Sequence, residues 1–268
     1  MFGTDRQLYQ PLQLYHLAHD GMRCELAPPD EALRDAIYYY WMLSIEVPEV
    51  SLSVIPDGAL DLVMSPQIDN FAAIYTPKDS RFVIPLEGPI VYVGVCFRVE
   101  KTQTLFHRSL SELDALEAGM GVIDSLSLMR LVERIQGNFD IGDQTAHFNT
   151  FFLEYKNQFH LQQSVNILAG VIDALEVDAV AKMAQQVGVS ERQFRRVTQS
   201  LFGLRPKQIQ RIVRLQEALG ELLHREQQPS MTDYYDDSHR IRELKKLTGL
   251  TPGEIRRMAE KYNQTGGG

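Results

Sequence analysis

Arg192, Arg195, Arg196 and Gln199 stand at i, i+3, i+4 and i+7, the spacing that gathers side chains on one face of an α-helix. Arginine can donate two hydrogen bonds to the acceptor edge of guanine, and glutamine pairs with adenine, so such a stripe can read bases from the major groove. Pattern alone fits a solvated basic face on a helix hairpin equally well.

Other chemistry-bearing groups are weaker. Asp57 and Asp61 flank a turn and a strand, a placement that suits turn chemistry and a strand edge better than an acid/base pair. His16 and His19 form a His-x-x-His pair with no further ligand nearby, so no metal is expected. Trp41 with Tyr38, Tyr39 and Tyr40 could line a small-molecule pocket, although an aromatic cluster on a helix is more often core. Cys24 and Cys96 are the only cysteines and read as two reduced, packed side chains. No Ser/His/Asp or Cys/His arrangement and no Gly-rich phosphate loop stands out, so neither an enzyme nor a cofactor is expected.

The elements that must position the arginine stripe are legible. Val177, Val180, Ala181, Ala184 and Val187 would bury one face of a short helix, which Gly188-Val189 ends. Ser190 is a good N-cap for the second helix, in which Phe194, Val197 and Leu201 fall on the buried side. Gly203-Leu204-Arg205-Pro206 then stops that helix and starts another over 207–223, with Ile209, Ile212, Val213, Leu219 and Leu223 along one side.

Farther forward, short β-favouring runs at 51–55, 60–64, 72–75, 81–85 and 90–98, separated by Pro56-Asp57-Gly58, Ser65-Pro66 and Gly88-Pro89, predict an antiparallel sheet. A helix over 28–42 is predicted to cover it. After Arg98 the period becomes helical, through Leu105, Leu110 and Leu113, then Leu126–Ile135, then 148–159 and 161–175.

Two stretches carry a family resemblance. Val187–Arg196, followed by Phe202-Gly203-Leu204-Arg205-Pro206-Lys207 and Arg211–Leu215, is similar to the first helix-turn-helix and linker helix of AraC/XylS-type regulators. Tyr234-Tyr235-Asp236-Asp237-Ser238-His239 through Leu247-Thr248-Gly249-Leu250-Thr251-Pro252 resembles the second recognition helix and closing signature of that family. Farther forward, residues 53–63 and 93–98 with 109–113 resemble an N-terminal domain of unassigned role that often precedes such DNA-binding domains.

The resemblance implies two recognition helices entering successive major grooves. Ser190, Glu191, Arg192, Arg195, Arg196 and Gln199 would serve the first, and Ser238, His239 and Arg242 the second, with Lys207 and Arg211 on phosphates. Only residues 224–233 separate Leu223 from Tyr234, too few for the supporting helix that the family places there. Asp233 stands where the family has a turn glycine, Arg240 at a usually apolar position, and Asp237 faces phosphate with the wrong sign. The second module therefore reads as degenerate, which would favour dimerisation through the helical connector.

The expected fold is α+β: an N-terminal antiparallel β barrel or sandwich with a covering helix, a helical connector, and a C-terminal all-α helix-turn-helix DNA-binding domain. The expected boundaries are 1–115, 116–160 and 161–262, with a flexible tail at 263–268.

Charge agrees with this division, since the 268 residues carry a net −8, made of −11 over the first 163 and +3 from Ser164 on. No apolar run approaches the length of a membrane span, and no signal peptide is evident, so a cytoplasmic location is expected. Expected partners are double-stranded promoter DNA, a small-molecule effector, a second copy of the chain and, for an activator, RNA polymerase. The alternative is a regulator-derived protein that acts on other proteins because its second module is damaged.

Overall fold

A computed structural model describes residues 11–17, 21–106, 110–114, 125–158, 179–224 and 238–264. Seven strands come first: β1 (Met22–Ala27), β2 (Ile37–Ile45), β3 (Glu49–Val54), β4 (Leu60–Met64), β5 (Ala72–Tyr75), β6 (Phe82–Glu87) and β7 (Ile90–Phe97). Five pair antiparallel in the order β1-β2-β7-β4-β5, and β3 pairs with β6 as a separate ribbon. The result is an open sandwich rather than a closed barrel.

Period-two alternation sorts the side chains of the central strands between two apolar layers. Tyr40 and Met42 of β2, Leu60, Leu62 and Met64 of β4, and Val93, Val95 and Phe97 of β7 face the helices. Tyr39, Trp41, Leu43 and Ile45 of β2, Val63 of β4 and Cys96 of β7 face the β3–β6 ribbon. Both faces are covered, so these strands are apolar almost throughout.

That double burial corrects the helix expected over 28–42. Asp30 accepts a hydrogen bond from the Ala32 N–H, but it caps only a 3-10 turn, Glu31–Leu33. Ile37–Ile45 then forms β2, between β1 and β7. A run buried on both faces shows no alternation, and its aromatic and β-branched content decides for strand. Strand β1 escaped the sequence reading because Met-Arg-Cys-Glu-Leu-Ala holds no β-branched residue.

Nine helices follow among the described residues: α1 (Val99–Phe106), α2 (Leu110–Asp114), α3 (Ser125–Ile135), α4 (Ile141–Gln158), α5 (Val180–Val187), α6 (Glu191–Phe202), α7 (Pro206–His224), α8 (Ser238–Thr248) and α9 (Pro252–Gln264). The expected helical run 161–175 lies outside the described residues, and α9 extends two residues into the expected tail. None of the described helices is long and apolar enough to cross a membrane.

One core runs from the sheet through the connector into the C-terminal helices. Phe97 meets Phe106 and Phe152 edge-on, with ring centroids 5.1 and 5.3 Å apart. The same cluster includes Phe148, Phe194, Phe202 and Ile212. A second junction lies beside it, where Leu14 and Ile55 of the front half pack with Leu215 and Leu219 of α7, Leu244 and Leu247 of α8, and Ile255 of α9. Inside this seam the Gln216 amide is fully engaged: its Oε1 accepts from the Leu12 N–H at 2.7 Å, and its Nε2 donates to the carbonyls of Pro56 at 2.8 Å and Leu12 at 3.2 Å.

Candidate nucleic-acid interface

The first helix pair is built by glycine and serine at its turn. Gly188 ends α5 in the left-handed conformation at φ 74°, where L side chains are strained, and its N–H and that of Val189 return to the end of α5. Ser190 is extended, and its Oγ accepts from the Gln193 N–H at 3.2 Å, which starts α6. Gly203, at φ 67°, closes α6, and Pro206 opens α7.

The buried side of α5 is Val180, Met183 and Ala184, with Val187 half-buried; Ala181 is exposed. Met183 takes the place assigned to Ala181 because Val180, Met183, Ala184 and Val187 are the true i, i+3, i+4, i+7 set. Val177 lies outside the described residues. On α6, Phe194, Thr198 and Phe202 are buried, and Val197 and Leu201 pack half-buried against the core.

Opposite that face, Arg192, Arg195, Arg196 and Gln199 are all exposed. Ser190 and Glu191 sit at the exposed start of the same helix. Arg195 pairs with Glu191 at 3.3 Å, both about half exposed. An exposed pair of this kind is worth well under about 1 kcal/mol, so phosphate or a base edge can displace the carboxylate. Gln199 donates to the Gly203 carbonyl, which ties it to the end of its own helix.

In the second module α8 begins at Ser238 and carries Arg242 exposed. The side chains of Ser238, His239 and Arg240 lie outside the described residues, as does the stretch 225–237 with Asp233 and Asp237. Gly249, at φ 81°, ends α8, and Thr251 with Glu254 forms a capping box on α9, the Thr251 N–H donating to Glu254 Oε2 at 2.7 Å and the Glu254 N–H to Thr251 Oγ1 at 3.4 Å. Lys207 is exposed at the start of α7. Arg211 donates to Glu243 at 2.6 Å, so it braces α7 against α8.

The sandwich holds a second candidate site, which the sequence reading did not assemble from Trp41 and Asp61. Between sheet and ribbon lies a pocket of about 510 Å³ including its open mouth, lined by Tyr15, Trp41, Tyr75, Phe82 and Tyr92 among others. Asp61 faces it from β4. That strand lies between β7 and β5, which corrects the expected strand edge. Trp41 Nε1 donates to Asp61 Oδ1 at 2.9 Å. A Cβ on Gly94 would stand 2.3 Å from the indole, so glycine there lets the ring cross β7 to reach β4. The available signal was the lone carboxylate inside Leu-Asp-Leu-Val-Met. Trp41 does line a pocket as considered, but from a strand.

Asp57 performs the expected turn chemistry, with Oδ1 accepting from the Ala59 N–H at 3.0 Å, and its Oδ2 also accepts from Gln13 Nε2 at 2.7 Å. Burial pushes Asp61 up to about 8, with the Asp57 charge adding and the Trp41 hydrogen bond opposing. Burial likewise raises Asp57 against its hydrogen bonds from Gln13 and Ala59. Burial holds the His16 imidazole down to about 3 and pushes the Cys24 thiol up to about 12. Among the described residues no three His, Cys, Asp or Glu side chains converge as a metal site, and His19 lies outside them.

Residues 183–258 match the family model described as a helix-turn-helix domain, a span that takes in both stretches similar to paired helix-turn-helix regulators. Residues 25–117 match a domain of unknown function. No curated protein matches the chain. Among solved structures it is similar to a substituted apo ToxT from Vibrio cholerae strain SCE256, at 10% identity and a TM-score of 0.43, covering 90% of this chain and 98% of that one. It is also similar to ToxT from Vibrio cholerae O395, at 10% identity and a TM-score of 0.42, covering 89% and 98%.

Proposed function

We propose that the chain is a DNA-binding transcriptional regulator of the AraC type, which reads its operator mainly through α6, with α8 in a lesser role. The single observation that carries this reading is the exposed Arg192, Arg195 and Arg196 face on a helix whose opposite side is locked into the core. Such a helix is presented rigidly to the groove, with its first turns toward the bases. Lys207 suits a backbone phosphate beside it, and Arg211 can join only by leaving Glu243.

The front sandwich serves as the sensing half, and the protein works in the cytoplasm, where an activating form would also contact RNA polymerase. A second copy completes the reader: Leu126 and Met129 stand one turn apart on α3, 60% and 40% exposed, as an apolar patch on the connector.

The test is binding to fragments of promoter DNA across a salt series. The expected result is a protected site and an affinity that falls steeply with salt, as counterions are released. Sedimentation of the same complex is expected to show two copies per site. A shallow salt slope with no protected site favours the reading in which the chain acts on other proteins. A monomer both free and bound removes the second copy.

A further inference from the structure

We propose that the sandwich pocket is a binding site for a small organic amine, with Asp61 taking the ammonium and the surrounding rings taking the apolar body. This rests on reading the front domain as the sensing half, and it adds the chemistry of what is sensed.

Four observations converge. Asp61 is the one charged side chain among the described lining residues, and neither lysine nor arginine lines the space, so an anionic ligand would meet only like charge. The carboxylate sits on an interior strand in an apolar layer, a costly place for a charge unless something cationic or hydrogen-bonding meets it. One of its oxygens takes the indole N–H, which fixes the carboxyl plane.

The rings of Tyr15, Trp41, Tyr75 and Tyr92 surround it, with Tyr75 stacked on Phe82 at 6.4 Å. Aromatic faces attract cations and cover apolar carbon at once. An ammonium thus supplies the charge that burial withholds from Asp61, while the walls desolvate the rest of the molecule.

The position is also built rather than incidental. Gly94 makes room for the indole, and Asp57, whose charge bears on Asp61, is hydrogen-bonded to Gln13. Gln13 Nε2 also donates to the Ile55 carbonyl, and the neighbouring Pro56 carbonyl accepts from Gln216 on α7. The Ile55-Pro56 turn that leads into β4 and Asp61 is therefore hydrogen-bonded to the helix that joins the two DNA-reading modules.

Trp41 is the sole tryptophan of the chain, so its emission reports on the pocket directly. Phenethylamine and n-hexylamine are titrated into the full chain without DNA, beside 2-phenylethanol and phenylacetate. The expected result is a saturable change with both amines, with phenethylamine binding at least about tenfold tighter than 2-phenylethanol, and no response to phenylacetate. Asp61→Asn removes the preference of amine over alcohol. Ile84→Phe, which fills the pocket from the ribbon, weakens both and guards against a folding defect in the first variant.

Failure of both amines to bind, or equal binding of the alcohol or the acid, overturns the proposal and leaves operator binding untouched. Amine binding that never alters operator affinity keeps the site and overturns the sensing reading on which it was placed.

Discussion

Replacing Arg195 and Arg196 together with alanine lowers affinity for the specific operator by about 100-fold or more, while the helix and its packing persist. Each well-placed bidentate contact from arginine to guanine discriminates by about 1–3 kcal/mol, and the two side chains lie on adjacent positions of the same exposed face. Both are exposed on the side of α6 away from the core, and Arg195 pairs with Glu191, an exposed pair of little weight. Far-ultraviolet circular dichroism and thermal melting should therefore match the parent. The informative measurement is a footprint, because binding to random DNA falls less than binding to the operator when base contacts are lost. A double variant that protects the same sequence as the parent at the same concentration would place base reading elsewhere.

The second large effect is on stability and depends on pH. The Asp61 carboxyl is raised in the folded chain to about 8, first by burial and then by the Asp57 charge, against an ordinary value near 4. The folded state therefore holds this proton more tightly than the unfolded chain does. The corresponding stability is fully present below about pH 4 and is lost as pH rises through about 8. Other groups around Asp61 do not confuse the window. Tyr15 from the N-terminal turn, Tyr39 from β2 and Cys96 from β7 are pushed well above their ordinary values by burial, and Tyr75 from β5 is raised as well. His16 stays neutral because its value is lowered.

Asp57 is raised in the same direction, by burial against its hydrogen bonds from Gln13 and Ala59. Asp61→Asn keeps an acceptor for the indole N–H without the charge. It is expected to exceed the parent by about 2–5 kcal/mol at pH 8.5, with the pocket mouth reducing the effect toward the lower end, and to match it near pH 4. Denaturant unfolding at both pH values measures this. A parent-to-variant difference that does not change between them would mean that Asp61 is ionised at little cost.

Local chemistry made much of the molecule readable. Gly188, Gly203 and Pro206 fix helix ends by backbone geometry and Ser190 by its side-chain cap, so the turns between α5, α6 and α7 follow from four residues. The strands at 60–64 and 72–75 are likewise bounded by Pro, Gly and Ser. Ile37–Ile45 was misread because burial on two faces erases the period that separates strand from helix. Asp61 was read as a strand-edge residue for a related reason. Its neighbours Tyr15, Trp41 and Tyr92 converge only when the N-terminal turn, β2, β4 and β7 assemble, and no local spacing announces that. The arginine face needed only one helix, whereas the pocket needed the whole sandwich.

The Gln216 junction bears on how such a protein can be altered by recombination. Two separate family models match residues 25–117 and 183–258, as though either stretch could be exchanged alone. In space the halves share Leu14, Ile55, Leu215 and Leu219, and one amide on α7 satisfies backbone groups from two loops of the front half. A chimera that grafts another sensor onto this reader would strand a buried glutamine and bare a leucine seam. Successful grafts must therefore carry Leu12, Gln13 and the Ile55-Pro56 loop along with the linker helix, so the unit of inheritance is the seam as well as the domain.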